Sequence, residues 1–412
     1  MRTERRYASR SKQAPAKGGR YFHEDVNLRN IVFLCSITLL LILSDCAELA
    51  GPWMFNLKYP GLVLLISISL LSSFHCKINS TRIVLAAFAV AVLFFETLFQ
   101  ESAGQTVQAL ALFLGVGIIA CFSGSLIKTR REMLWLGVFT TLAIAVLLYI
   151  SRESCMRQWQ FYTSIGRPRL KGCFTNANSF GAISSIALIL CSVGSPKSRA
   201  EGSLRSLCLL VSAAMVLVSG SRTSILMVAG FFLALAYQRI EGRMKSKQLR
   251  LLLLFAVIIA SVVAAHIAAK ALENDIPVIL RLRTLRNISL TDPHAWFGYG
   301  YLGSSNIKVL NAIAGGALEM LIVSLFYRMG IVGICAYAIL VFSTLLGNSG
   351  SDRTLSRAFL VAVLLQSIGE SFLSSIMSYP SCFNWILLSA LPMIEVVKSD
   401  KEGASATARN TR

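Results

Sequence analysis

The amino-acid sequence predicts an all-α, polytopic transmembrane helical bundle of about 12 spans, with a long external loop that contains an amphipathic helix. Three observations lead there. Apolar stretches of membrane-spanning length recur along the chain; residues 251–269, for example, carry no acidic or basic side chain except His266. Across 412 residues, 55% are hydrophobic and 15% are charged, and the mean hydropathy is +0.64. The basic residues fall mainly in short connections between apolar stretches, where they orient a membrane protein. A bilayer core offers no water to backbone groups, so each spanning stretch must be helical.

A polar basic tail, residues 1–29, comes first and reads as cytoplasmic and disordered. The apolar run after Asn30 lacks a small-residue cleavage site and is followed by further spans, so it reads as the first span rather than a signal peptide. Spans are expected at about 31–47, 60–75, 83–99, 106–127, 133–150, 178–194, 204–219, 223–238, 250–270, 329–347, 357–377 and 381–397. The membrane domain thus occupies 30–397, with external loops at about 151–177 and 271–328, and residues 398–412 form a cytoplasmic tail. Within the second loop, Ala312 to Tyr327 reads as an interfacial or re-entrant amphipathic helix, with a thirteenth span as the alternative. No internal repeat stands out.

With a cytoplasmic N-terminus, 27 of the 40 Lys and Arg residues fall inside, which agrees with the orientation rule and puts both termini in the cytoplasm. The net charge of +20 is therefore a membrane signature, and no nucleic-acid partner is expected. Ten cysteines form no CxxC pair and no Cys/His cluster at metal spacing. Cys155 and Cys173 share one external loop, where two thiols or a disulfide are both open readings.

The 13 external cations need a reason, because they oppose the orientation rule. Five lie between Arg152 and Lys171, three are Arg281, Arg283 and Arg286, and Arg222 stands in the short turn Ser219-Gly-Ser-Arg-Thr223. Solvated loop chemistry or attraction to anionic headgroups is one explanation; an anionic ligand is the other. Arg167, Arg169 and Lys171 run directly into a helix start marked by Asn176 and Asn178, and guanidinium forks and a helix N-terminus both favour phosphate. The asparagines also serve as plain helix caps. Arg222 either holds a pyrophosphate or anchors a helix end by snorkelling.

Two further features bear on chemistry. Trp296, Tyr299 and Tyr301 lie in Trp296-Phe-Gly-Tyr-Gly-Tyr301, where aromatic faces suit sugar rings or an interfacial belt. Glu319 is an acid within an apolar segment, which suits a general base or a water-facing position on an amphipathic helix. Glu370 and Glu96 also interrupt apolar stretches near their external ends. A phosphate-cradling glycine loop, HExxH and GxSxG are all missing, so a nucleotide-dependent cytoplasmic enzyme is not expected.

These features occur in an order that resembles the O-antigen ligase/O-antigen polymerase family of bacterial polysaccharide assembly. Gly172-Cys-Phe-Thr-Asn-Ala-Asn178 is similar to that family's Gly-x-Phe-x-Asn-x-Asn entry into a helix. Ser219-Gly-Ser-Arg222 resembles its Ser-x-Ser-Arg turn, Phe297-Gly-Tyr-Gly300 its Gly-x-Gly, and Gly330-Ile-Val-Gly333 the glycine pair of the next span. The resemblance covers about residues 105–395. It implies metal-independent glycosyl transfer, without cofactor, from undecaprenyl-pyrophosphate-linked glycan at the outer face of the bacterial inner membrane. A chain-length regulator and a flippase are candidate partners, beside membrane lipid. Arg167, Arg169, Lys171, Asn176, Asn178, Arg222, Arg281 and Arg286 would bind substrate and pyrophosphate, Trp296, Tyr299 and Tyr301 would contact sugar, and Glu319 would be the catalytic base. The ligase branch carries a His where this chain has Glu319, which favours the polymerase or exopolysaccharide branch over ligase-type transfer to a lipid or protein acceptor. The Arg-x10-Gly pattern of some polymerases is absent. A lipid-linked sugar transporter is the alternative of another class.

Overall fold

A computed structural model describes residues 27–46, 52–74, 79–98, 103–164, 169–244, 246, 248, 255, 276–300, 311, 314, 318–346, 354–374 and 377–410. The fold is all-α. In chain order the helices are α1 (Leu28–Ser44), α2 (Pro52–Phe55), α3 (Lys58–Ser73), α4 (Ser80–Leu98), α5 (Ala103–Phe122), α6 (Arg130–Ile150), α7 (Arg152–Ser164), α8 (Ala177–Val193), α9 (Arg199–Val218), α10 (Arg222–Arg243), α11 (Ile276–Arg286), α12 (Leu321–Thr344), α13 (Thr354–Ser367) and α14 (Tyr379–Asn410). Among the described residues, seven helices are long and apolar enough to cross a membrane, and Leu28–Ser44, Ala177–Val193 and Thr354–Ser367 are shorter apolar helices. The expected span at 250–270 lies outside the described residues except Phe255, as does most of the N-terminal tail.

Burial explains the layout. The central helix α8 is buried along nearly its whole length and packs against α6, α9, α10 and α14. The first half of α14 is equally enclosed, with Tyr379, Phe383 and Trp385 fully buried. The peripheral helices invert the usual soluble pattern, turning Val63, Leu71, Phe88, Leu210, Leu217 and Leu233 outward. Such an outer surface suits a hydrocarbon solvent.

Polar groups fix the two ends of the bundle. At one end Glu132 closes a capping box with Thr129 and also accepts from the backbone N–H of Asn27 at 3.1 Å, joining the starts of α6 and α1. Nearby, Arg131 and Glu201 form an ion pair at 2.5 Å. At the other end, the backbone N–H of Thr175 donates to the Asp45 carbonyl at 3.0 Å, and that of Leu170 donates to the Val218 carbonyl at 3.0 Å. These bonds hold the loop before α8 against the last turns of α1 and α9.

The structure departs from the expectations in three places. The loop at 151–177 contains a helix, α7. Ala312 to Tyr327 is not one separate amphipathic helix: Leu318 and Glu319 are non-helical, and the residues from Leu321 onward are the opening turns of α12. The reason is Gly330, whose φ of 62° breaks α12 internally, so what reads as two segments is one kinked element. The stretch expected as a span at 357–377 is α-helical only as far as Ser367, so Glu370 stands past the end of α13 rather than inside a spanning helix. Of the two readings open for Cys155 and Cys173, the structure has thiols: Cys173 faces Cys46, with sulfurs 3.5 Å apart, and Cys155 bonds locally to Ser151.

Candidate functional site

The site grows from the start of α8. Asn176 caps the helix, its Oδ1 accepting from the backbone N–H of Ser179 at 2.7 Å. Asn178, one residue into the helix, is thereby free to turn its amide elsewhere. Its Oδ1 accepts from Arg169 Nη2, and its Nδ2 donates to Glu370 Oε1. The amide thus bridges a cation and a carboxylate that are far apart in the sequence.

Glu370 follows the C-terminal end of α13. Its backbone N–H donates to the Gln366 carbonyl at 3.1 Å, and Gln366 in turn accepts from Asn384 Nδ2 of α14 at 3.0 Å. Buried polar pairs of this kind hold a turn in one geometry. A second cation then enters from α11: Arg281 Nη2 lies 2.5 Å from Glu319 Oε2 and 4.0 Å from Glu370 Oε1. Arg169, Asn178, Glu370, Arg281 and Glu319 therefore form one connected chain of polar groups.

The two carboxylates differ in environment. Glu370 is 13% exposed and Glu319 is 48% exposed. Burial pushes the Glu370 carboxyl up to about 7, and the Glu319 charge adds to the rise; Arg281, Arg169 and the Asn178 bond pull it back. The Nε of Arg281 is buried and has no hydrogen-bond partner among the described residues.

The turn before α10 packs beside this chain. Ser221 caps α10, and Arg222 is the first helical residue, exposed at the N-terminus. Thr223 meets the backbone at Gly369, where an added Cβ would lie 2.3 Å from Thr223 Cγ2 and 3.3 Å from Arg281 Nη1. The start of α10 and the Arg281 guanidinium thus approach the same point. Lys171 is half-buried in the loop before α8. Arg286 is exposed at the end of α11 and, five residues past Arg281, stands about 140° around the helix from it. Arg167 and Tyr301 lie outside the described residues.

The aromatic run has a second role that sequence reasoning missed. The kink at Gly330 frees backbone groups of α12, and the Phe297-Gly-Tyr-Gly300 loop takes them up. The N–H of Tyr299 donates to the Tyr327 carbonyl at 2.9 Å, that of Gly300 to the Arg328 carbonyl at 3.0 Å, and that of Val332 to the Trp296 carbonyl at 3.1 Å. Gly298 and Gly330 both have positive φ, and a Cβ on either would sit 2.3 Å from the other strand of this exchange. The Tyr299 hydroxyl donates to Asp292 Oδ2 at 2.7 Å, and its ring stacks on His294 at 4.1 Å. Trp296 is 57% exposed, which leaves its indole face available.

Glu370 is the residue whose part the sequence understated; its spacing from Arg169 and Arg281 carries no local pattern. A second buried acid, Glu96, lines an apolar cleft of about 550 Å³ with Phe88, Val92, Phe95, Phe297 and Val332. Among the described residues, no group of three or more His, Cys, Asp or Glu gathers as a metal site. The arrangement that is built, cations and a helix N-terminus around two unequal carboxylates, suits an anionic ligand next to a proton-transfer group. No protein-family model matches the chain, and no curated protein matches its sequence.

Proposed function

We propose that the protein is a bacterial polysaccharide polymerase of the O-antigen or exopolysaccharide type. It joins oligosaccharide repeats carried on undecaprenyl pyrophosphate. On this reading the chain crosses the inner membrane about 12 times, with both termini cytoplasmic and the polar cluster on the outer face. The observation that carries the proposal is the chain Arg169–Asn178–Glu370–Arg281–Glu319, which gathers two guanidinium groups and two carboxyls from four separate stretches of sequence.

The chemistry follows from those groups. Arg169, Arg222, Arg281 and the N-termini of α8 and α10 hold the donor's pyrophosphate. A carboxylate takes the proton of the acceptor hydroxyl, and the hydroxyl oxygen attacks the anomeric carbon. The new glycosidic bond forms as the bond to pyrophosphate breaks, and the lipid pyrophosphate leaves as an anion stabilised by the cations. Glu370 is the stronger candidate for the base, because its largely buried carboxyl is raised above the ordinary value by desolvation and is held between Asn178 and Arg281, whereas Glu319 is exposed and tied to Arg281. Trp296 offers an open aromatic face to sugar.

The test is the lipid-linked glycan profile of cells with and without the protein. Loss of a polymerase leaves single repeats on the carrier. Accumulation of long lipid-linked chains would instead indicate ligase-type transfer, and trapping of repeats in the inner leaflet would indicate a transporter.

A further inference from the structure

We propose that Cys46 and Cys173 are a covalent modification site, joined by a disulfide that ties the end of α1 to the loop carrying Arg169 and Asn178. The two sulfurs face each other at 3.5 Å, and both residues are fully buried. The backbone already runs side by side there, because the Thr175 N–H donates to the Asp45 carbonyl at 3.0 Å, within two residues of each sulfur. A disulfide brings its sulfurs to about 2.05 Å, and the two chain segments that carry these thiols are already hydrogen-bonded to each other. The remaining separation is one of chemistry, and compartment decides it: thiols this close oxidise on the outer side of a membrane and stay reduced in cytoplasm. The inference thus rests on the orientation proposed above.

The pairing closes a loop of 127 residues and anchors the stretch from Arg169 to Asn178 at its midpoint. Each thiol loses its proton. One thiolate attacks the disulfide of an exogenous thiol–disulfide oxidant, breaking it and forming a mixed disulfide, and the second thiolate attacks the cysteine sulfur of that mixed disulfide and expels the oxidant's remaining thiolate. The Cys46–Cys173 bond forms, and the oxidant leaves as a dithiol holding both electrons and both protons. Because neither sulfur is accessible in the folded bundle, this exchange occurs while the chain inserts, before α1 closes over the loop. Cys191 and Cys208 are also buried, lie towards the other side of the bundle, and serve as internal controls that stay thiols.

The experiment maps thiols on the full-length protein from cells quenched in acid, denatured and alkylated without reductant. The expected result is a linked Cys46–Cys173 peptide that disappears on reduction, with Cys191 and Cys208 alkylated. Cys46→Ser then exposes Cys173 to alkylation, and Cys173→Ser exposes Cys46. Recovery of Cys46 and Cys173 as alkylated thiols from the unreduced wild type, or of a Cys155–Cys173 link, overturns the proposal. Impermeant maleimide labelling of Glu153→Cys in intact cells separates the two failures. If that site labels, the orientation stands and the pairing alone is wrong; if it does not, the orientation falls as well.

Discussion

Arg281 Nη2 lies 2.5 Å from Glu319 Oε2 while the same nitrogen stands 4.0 Å from Glu370 Oε1. One guanidinium thus mediates between an exposed carboxylate and a largely buried one. Truncating it leaves Glu370 with fewer compensating charges, which costs more than the loss of a surface pair. Arg281→Ala is expected to destabilise the protein by about 1–3 kcal/mol, the cost of leaving a largely buried polar group without its partner, and to abolish long chains. Arg281→Lys retains the charge without the fork and gives an intermediate product length. Thermal unfolding in detergent and the product ladder check both.

Glu370 makes stability and activity respond to pH in opposite directions. Its carboxyl is raised from 4.5 to about 7, so the folded protein holds a proton there that the unfolded chain releases. The contribution to stability is complete below the unfolded value of 4.5 and is lost as pH rises through about 7. A general base needs the deprotonated form, so the transfer rate rises over the same window. Glu370→Gln is expected to remove this component from the melting profile and to abolish transfer. A rate profile unchanged by Glu370→Gln would count against its role.

Asn178 sets how strongly Glu370 is held. Replacing its amide by a carboxylate removes the donated hydrogen bond and adds a like charge beside a buried acid. Asn178→Asp is expected to move the midpoint of the rate profile upward by about one unit, whereas Asn178→Ala lowers the rate with a smaller displacement. Rate measurements across pH on the two variants distinguish positioning from simple loss of packing.

The exchange between the 297–300 loop and the kink of α12 makes a stability prediction with a built-in control. Gly298→Ala and Gly330→Ala each force a Cβ to within 2.3 Å of backbone atoms at a positive φ. Each is expected to cost more than about 2 kcal/mol. Gly202→Ala in α9 meets nothing within 4 Å and is expected to be neutral or mildly stabilising. Melting temperatures of the three variants settle the comparison.

Glu96 is 3% exposed, and neither of its carboxyl oxygens has a hydrogen-bond partner among the described residues. Replacing an unsatisfied buried polar group by an apolar one of similar size is favourable. Glu96→Leu is expected to raise stability by about 1–3 kcal/mol. A lower melting temperature would show that the carboxyl meets a partner in the membrane-embedded protein.

Much of the helical scaffold was legible because apolar runs of spanning length have few alternatives. The entry to α8 was legible too, since an asparagine cap before an apolar run is a local signal and Asn176 fills that position. The kinked α12 was not, because a helix that resumes after Gly330 looks in sequence like a loop helix followed by a span. The backbone exchange at Gly298 was hidden behind the aromatic residues, whose side chains suggest stacking while their N–H groups do the pairing. Glu370 was visible as an acid in an apolar stretch. Its partners Asn178 and Arg281 come from elements distant in the chain, and only packing brings them to it.

The most direct measurement is transfer by the purified full-length protein in liposomes supplied with undecaprenyl-pyrophosphate-linked repeats from its own host and no nucleotide. The account predicts that wild type extends these repeats into a ladder of longer lipid-linked chains, and that Glu370→Gln, folded to the same extent, leaves single repeats. A ladder of wild-type length from Glu370→Gln and Arg281→Ala would contradict the assignment of this polar cluster as the reacting centre.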